Sequence, residues 1–540
     1  MSRCLTSFVV GPALLLAIAM GIPEAGGAGA TPVTPLRAVV QPDVEAAIQA
    51  ASSDDSIPVI VKLKDQTNVT AIGGASRTDR AVALVTALKA KADAGQADLA
   101  PFLRRRGREG VVKDFVPFWV FNGFAVSATT EVIQELAARP EVLSISLDRT
   151  IARPALDTSS SGGADSVEAN LDVIGAPSVW ELGFRGRGIV VANMDTGVDV
   201  THPDLLSRWR GGSSSWFDPN GEHPATPTDV SGHGTWTMGV MVGGEAGGTN
   251  IGVAPDARWV GVKIFDDGGT ARVSRIHMGF QWLLDPDGQT ATPDAPHIVN
   301  NSWGFESPGC DLEFQPDLQA LQAAWIVPVF AAGNSGPASG TSVSPANNPE
   351  ALAVGATDNA GIIYPYSSRG PSACGEQDST YPELVAPGVA VRTTDLYGGY
   401  YAPTGTSLAA PHAAGGLALL LSAFPNVPPD QVEAALVASA VDLGPPGPDN
   451  DYGYGGIDVW AAFQALAAEH GTPVLMGDVD CDREVTSSDA SAISHVVVGL
   501  MAALPCPEAT DVDRDGRAAM RDALLVGRLA ADLIDNFPPP

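Results

Sequence analysis

Three short segments carry residues that could together do nucleophilic chemistry. Asp195 closes an apolar run in Met194-Asp195-Thr196-Gly197, His233 lies between glycines in Gly232-His233-Gly234-Thr235, and Ser407 stands in Gly405-Thr406-Ser407-Leu408-Ala409-Ala410-Pro411. A hydroxyl is a weak nucleophile until a base takes its proton, and an imidazole serves best when a carboxylate fixes its tautomer. The order Asp, His, Ser is one of three chain orders in which such triads occur. A lone Asp-Thr-Gly also occurs in aspartic peptidases, but that chemistry needs a second loop with a facing Asp, and the chain has none. Ser407 opens an Ala-rich stretch expected to be helical, so unpaired N–H groups of the first turn could face an oxyanion. Pro411 is expected to be tolerated because it falls in that first turn. His412, five residues past Ser407, is read as structural.

These segments resemble the subtilisin-like serine peptidases. Asn301-Ser302-Trp303-Gly304, and the stretch from Asn170 through Trp180 to Asp204, resemble the bacillopeptidase F-like branch of that family. The resemblance implies a serine endopeptidase that cuts proteins through an acyl-enzyme. It gives Asn334, in Ala-Ala-Gly-Asn334-Ser-Gly, the role of side-chain donor in the oxyanion hole beside the Ser407 N–H. It makes Ser302, Trp303 and Gly304 one wall of the substrate cleft, and Gly268 and Gly269 part of the opposing strand. A peptide held between them as an added strand gains main-chain hydrogen bonds at any sequence. Two departures stand out. Trp236 occupies a position where the family usually has a second His, and Ala246 lies where a familiar calcium site uses Asn, although Asp204 matches a carboxylate of that site. No calcium is assigned to the peptidase domain from this one match.

The elements needed to position these residues are legible as apolar runs. Segments 188–194, 259–264, 297–300, 324–330 and 351–354 read as buried parallel strands, and 235–242, 407–423 and 429–440 as helices. The expected fold is α/β, a mainly parallel sheet flanked by helices, over 171–466. Residues 57–150 read as a small α+β, ferredoxin-like unit. It has a strand at 58–63, a long helix at 78–106, a strand at 119–127 bent at Asn122-Gly123, a helix at 130–138 and a strand at 142–147. Its place before the peptidase resembles the inhibitory propeptide of the family, the chain's own inhibitor. Residues 151–170, rich in small polar residues, read as the linker where maturation occurs.

The tail, 475–536, repeats a loop and an apolar helix after 33 residues. Calcium takes six to eight oxygens, and loops supply them at positions 1, 3, 5, 7 and 12. Here these are Asp478, Asp480, Asp482, Glu484 and Asp489, then Asp511, Asp513, Asp515, Arg517 and Asp522, with Glu484 and Arg517 offering backbone carbonyls. Gly516 fills the sharp-turn position of the second loop and Arg483 that of the first. The duplicated pattern resembles a dockerin, a small all-α calcium-binding module whose partner is a cohesin domain.

Residues 1–30 read as a secretory signal, with Arg3, an apolar run to Met20 and Ala28-Gly29-Ala30. Secretion suits the cysteines. Cys4 leaves with the signal, and Cys310, Cys374, Cys481 and Cys506 allow three pairings, of which local grouping favours Cys310–Cys374 and Cys481–Cys506. Residues 31–150 hold 14 basic and 14 acidic residues, whereas 151–540 hold 16 and 47, matching the whole chain's net charge of −31. Such acidity opposes binding to nucleic acid or to anionic membranes. The competing reading is a catalytically silent scaffold that acts as an interaction protein through its tail. Such scaffolds usually lack a triad or oxyanion residue, and none is missing here.

Overall fold

In the strand Val190–Asp195, Val191 packs into one apolar layer while Ala192 and Met194 pack into another on the opposite side. A strand buried on both faces reads as a continuous apolar run, and it needs helices above and below it. The computed structural model describes residues 38–154, 168–375, 379–513, 517–531, 533–534 and 537. The signal segment 1–30 therefore lies outside the described residues.

The N-terminal unit contains β1 (Val39–Val40), β2 (Ile57–Leu63), β3 (Val112–Phe118), β4 (Gly123–Ala128) and β5 (Val142–Leu147) in the order β1-β5-β2-β4-β3. It departs from expectation in three places. It begins ahead of residue 57, with β1 paired in parallel to β5. The helical stretch 78–106 is two helices, Arg77–Gln96 and Leu99–Arg108. The strand expected at 119–127 is instead the turn and second arm of the β3–β4 hairpin. β3 lacks a regular apolar pattern because it is an edge strand, where Pro117 and the exposed Lys113 and Asp114 are tolerated.

After it come β6 (Thr150–Ala152), β7 (Val190–Asp195), β8 (Trp216–Phe217), β9 (Arg258–Lys263), β10 (Thr270–Arg272), β11 (Ile298–Asn301), β12 (Val327–Ala331), β13 (Leu352–Thr357) and β14 (Leu384–Pro387). Seven of them form one sheet in the order β14-β13-β12-β11-β7-β9-β8, with every pair parallel. The helix Thr406–Ala423 is buried on almost every side, so its sequence carries little amphipathic signal. Helices Val273–Leu284 and Gln315–Ala323 close the other face. The apolar layer they share also takes in Ile60, Leu84, Leu88, Phe118 and Phe121, so the N-terminal unit and the main domain bury one continuous core.

In the tail, helices Ser487–Val497 and Met520–Ala530 pack around Val479, Ile493, Val512 and Val526. Disulfides join Cys310 to Cys374 and Cys481 to Cys506.

Candidate active site

Asp195 ends β7, and Asn301 ends the neighbouring β11, so the site opens at the carboxyl edge of the sheet. That edge is where open parallel sheets bind ligands. His233 is the first residue of the helix His233–Val242, whose start lies against the Asp195 turn. The approach is so close that a Cβ on Gly234 would stand 2.1 Å from the Gly197 carbonyl. His233 Nδ1 thereby meets Asp195 Oδ1 at 2.6 Å, and the two side chains are 1% and 0% exposed. The Thr196 N–H donates to the same carboxylate oxygen at 2.7 Å. A buried carboxylate on Nδ1 leaves Nε2 as the proton acceptor, and Nε2 has no hydrogen-bond partner among the described residues.

Ser407 is the second residue of the helix Thr406–Ala423 and is buried. Its hydroxyl donates to the Ser302 carbonyl at 3.3 Å, so in this arrangement it rests beside β11 rather than on His233. Asn334 follows β12. Its Oδ1 accepts from the Thr406 N–H and hydroxyl, each at 3.0 Å, which holds the amide at the head of the Ser407 helix and leaves Nδ2 to donate.

Pro411 does not sit in the first turn of that helix. It falls where its N–H would have bonded the Ser407 carbonyl, so the proline strips that carbonyl of its helical partner. The Ser302 hydroxyl supplies the missing donor at 2.9 Å. Behind it runs a buried chain absent from the sequence reading. Asn300 Nδ2 donates to Ser302 Oγ and to Asn193 Oδ1, both at 3.0 Å, and Asn193 Nδ2 donates to the Gly234 carbonyl at 3.0 Å. Asn193 and Asn300, polar residues within runs that are mainly apolar, were the available signal. Asp229 and Lys263 are further organisers without a motif. Asp229 accepts from the N–H groups of Ser231, Gly232 and Thr235, and Lys263 donates to the Thr196 carbonyl at 3.1 Å.

His412 bonds Asn170 at 2.8 Å and the Leu408 carbonyl at 2.7 Å, and burial pulls its pKa down to about 4. Trp236 donates to Asp395 at 2.7 Å and lies with its ring 6.2 Å from that of His233. Of the cleft residues, Trp303 is buried among Phe280, Phe314 and Phe330, and Gly304 lies along the Ser344 carbonyl. Gly268 belongs to the turn before β10, while the Gly269 carbonyl accepts from the Arg153 N–H at 2.9 Å. That contact extends an antiparallel pairing in which Thr150, Ile151 and Ala152 face Arg272, Ala271 and Thr270. Ile151 is buried, and the Arg153 guanidinium bonds Ser231, two residues from His233. The chain thus lays one of its own strands across the entrance to the site.

In the tail, Asp489 and Asp522 play matching parts. Each is buried, one oxygen accepting from the N–H of Val479 or Val512 and the other from that of Thr486 or Ala519. Carboxylate oxygens of Asp478, Asp480 and Asp482 lie within 4.8 Å of one another, as do those of Asp511, Asp513 and Asp522. Asp515 and Gly516 lie outside the described residues. Arg483 adopts a φ of 73°, the left-handed conformation that the first loop needs where the second has glycine.

A scan of family models matches the subtilase family over residues 186–455 and peptidase inhibitor I9 over residues 58–153. Among curated proteins, bacillopeptidase F of Bacillus subtilis (strain 168) is 36% identical over 422 residues, which are 71% of this chain and 28% of that protein. The chain therefore spans little more than a quarter of that relative's length. Subtilisin E of the same organism is 32% identical over 64% of this chain and 82% of its own. Subtilisin of Bacillus pumilus is 34% identical over 56% of this chain and 100% of its own.

Proposed function

The chain belongs to the subtilase family of serine endopeptidases, and from that premise we propose that Asp195, His233 and Ser407 are its catalytic triad. The observation that carries this is the buried contact of 2.6 Å between Asp195 and His233, with Nε2 of the ring without a partner among the described residues. His233 Nε2 takes the proton of Ser407 as Oγ attacks the carbonyl carbon of a peptide bond. Asn334 Nδ2 and the Ser407 N–H, a first-turn donor without a helical acceptor, hold the resulting oxyanion. The imidazolium then protonates the departing amine, and water hydrolyses the acyl-ester with His233 again as base. Ser302, Trp303, Gly304, Gly268 and Gly269 line the cleft in which the substrate backbone lies as a strand, as Thr150–Ala152 does on β10.

The I9 domain makes this a zymogen. We place maturation within 151–170, a segment that begins in the strand paired with β10, and read 1–30 as a signal that directs secretion. The tail is a dockerin-like module. Asp478, Asp480, Asp482, Glu484 and Asp489 would hold one calcium, and Asp511, Asp513, Asp515, Arg517 and Asp522 a second. The converging carboxylates of both loops support this reading, and a cohesin domain is the partner it implies.

Fluorophosphonate labelling after removal of the N-terminal unit should modify Ser407, and Ser407→Ala should accumulate as full-length precursor. An unlabelled Ser407 in folded protein would overturn the triad. For the tail, binding to an immobilised cohesin should be lost in chelator. Binding that ignores calcium, or none at all, would refute the docking.

A further inference from the structure

The familiar calcium site of the family would fall between Asp204 and the loop 243–250, but the residues there do not fit an ion. Asp204 is 3% exposed, and both its oxygens already face donors. The Ala246 N–H lies 2.7 Å from Oδ1 and the Tyr400 hydroxyl 2.6 Å from Oδ2. Calcium takes six to eight oxygens, and here two hydrogens already point at the carboxylate that should lead the set.

The oxygens of the loop turn elsewhere. One nitrogen of the Arg392 guanidinium bonds the Glu168 carboxylate at 3.1 Å and the Thr249 hydroxyl, and another bonds the Gly247 carbonyl at 3.2 Å. The guanidinium carbon lies 4.6 Å from the centre of the Tyr400 ring, the same ring whose hydroxyl holds Asp204. Thr249 closes the circuit by donating to Glu168 at 2.8 Å. Tyr400 can lie this close because residue 247 has no side chain. A Cβ there would come within 2.5 Å of the ring. A planar fork of fixed donors suits three oxygens spread around it.

We propose that Arg392 is a built-in cation that does the work of a metal in this loop, so that 243–250 is held without calcium. Three segments depend on it. Glu168 lies near the end of the segment 151–170, the loop 243–250 leaves the helix that begins at His233, and Thr393 and Thr394 bond the Trp236 and Thr235 carbonyls of that helix at 2.7 Å each. The assignment rests on hydrogen bonding alone and stands whether or not Ser407 is the nucleophile.

Hydrogen exchange followed by mass spectrometry tests it on the full chain carrying Ser407→Ala, which should remain uncut. Exchange in peptides covering 243–252 should change by less than about twofold between millimolar calcium and chelator. Arg392→Met should speed that exchange by about tenfold or more, with no restoration by calcium. Peptides from 478–489 report the tail separately. Chelator-induced exchange in 243–252 of the Arg392 protein would overturn the proposal, as would calcium-restored protection in Arg392→Met or unaltered exchange in that variant. If Arg392→Met does not fold, Glu168→Gln keeps the shape and should give a smaller acceleration that is equally indifferent to calcium. Calcium-dependent protection in that variant would refute the proposal just as well.

Discussion

Replacing Lys62 by Met should loosen the inhibitory N-terminal unit from the peptidase, and the structure sets the size of the effect. Lys62 Nζ lies 2.9 Å from Glu313 Oε1 and 2.8 Å from the Glu313 carbonyl, with side-chain exposures of 16% and 8%. Burial pushes the Glu313 carboxyl up, but hydrogen bonds and charge from His277 and Lys62 carry it well below the usual range. Breaking a buried pair costs about 3–5 kcal/mol when the survivor is stranded. Glu313 would not be wholly stranded, because Ser146 donates to it at 3.0 Å and His277 Nε2 lies 3.3 Å away. We therefore expect about 2 kcal/mol, or roughly 30-fold in the inhibition constant of the released unit. The loss should depend on pH. Burial pulls the His277 pKa down, but Asp317, at 2.8 Å from Nδ1, and Glu313 more than offset this and raise it above its ordinary value. Below that raised pKa the imidazolium supplies Glu313 with a cation, so the Lys62→Met defect should be small in acid. It should grow as pH rises and His277 loses its charge. Phe118, Phe121 and Phe314 cover the ring, and the charged groups facing it are Asp317, Glu313 and, across Glu313, Lys62. The assay is inhibition of the mature enzyme by isolated 57–153 with and without Lys62→Met, and by the same pair against Glu313→Gln. A change below about threefold at alkaline pH, or a defect that does not vary with pH, would refute the reasoning.

Further outcomes concern stability and the site. Burial pushes the Glu383 pKa from 4.5 up to about 8, so its contribution to stability is complete below 4.5 and is lost as pH rises through about 8. Glu383→Gln should flatten the alkaline side of the stability curve, which denaturant titration across pH would measure; an unaltered slope would contradict it. The buried His412, lowered from 6.5 to about 4, acts on the other side. Its unfolded form takes up a proton first, so stability should fall from about pH 6.5 towards 4, by on the order of 3 kcal/mol in total. Ser302→Ala should cost about 1–3 kcal/mol of stability by orphaning the Ser407 carbonyl, and Pro411→Ala should recover part of it by restoring the helical N–H. Thermal unfolding that is strictly additive in the double variant would exclude that link. Trp236→Phe removes the bond to Asp395 and should lower stability by about 1 kcal/mol with little change in turnover. A large loss of turnover there would make the indole a positioning group for His233.

Much of this protein was legible because its chemistry is local in sequence. The Asp-Thr-Gly turn, the Gly-His-Gly helix start and the Gly-Thr-Ser helix start each carry their own backbone requirement, so each can be read without knowing what packs against it. The parallel strands were legible for a related reason, since burial on both faces leaves mostly apolar residues in Val190–Asp195 or Leu352–Thr357. The edge strand Val112–Phe118 was hidden because one side of it meets solvent and tolerates proline and charge. Contacts between distant segments were beyond any such reading. The Ser302 hydroxyl capping a carbonyl that Pro411 leaves bare, Lys62 reaching Glu313 across 251 residues, and Arg392 gathering Glu168, Gly247 and Thr249 all join side chains whose neighbours say nothing of a partner. The sequence by itself determined which residues could do the chemistry and what each needed from its own turn. Only the tertiary structure decided which donors meet which acceptors, because a buried polar group must be satisfied by whatever the packed chain brings within about 3 Å of it.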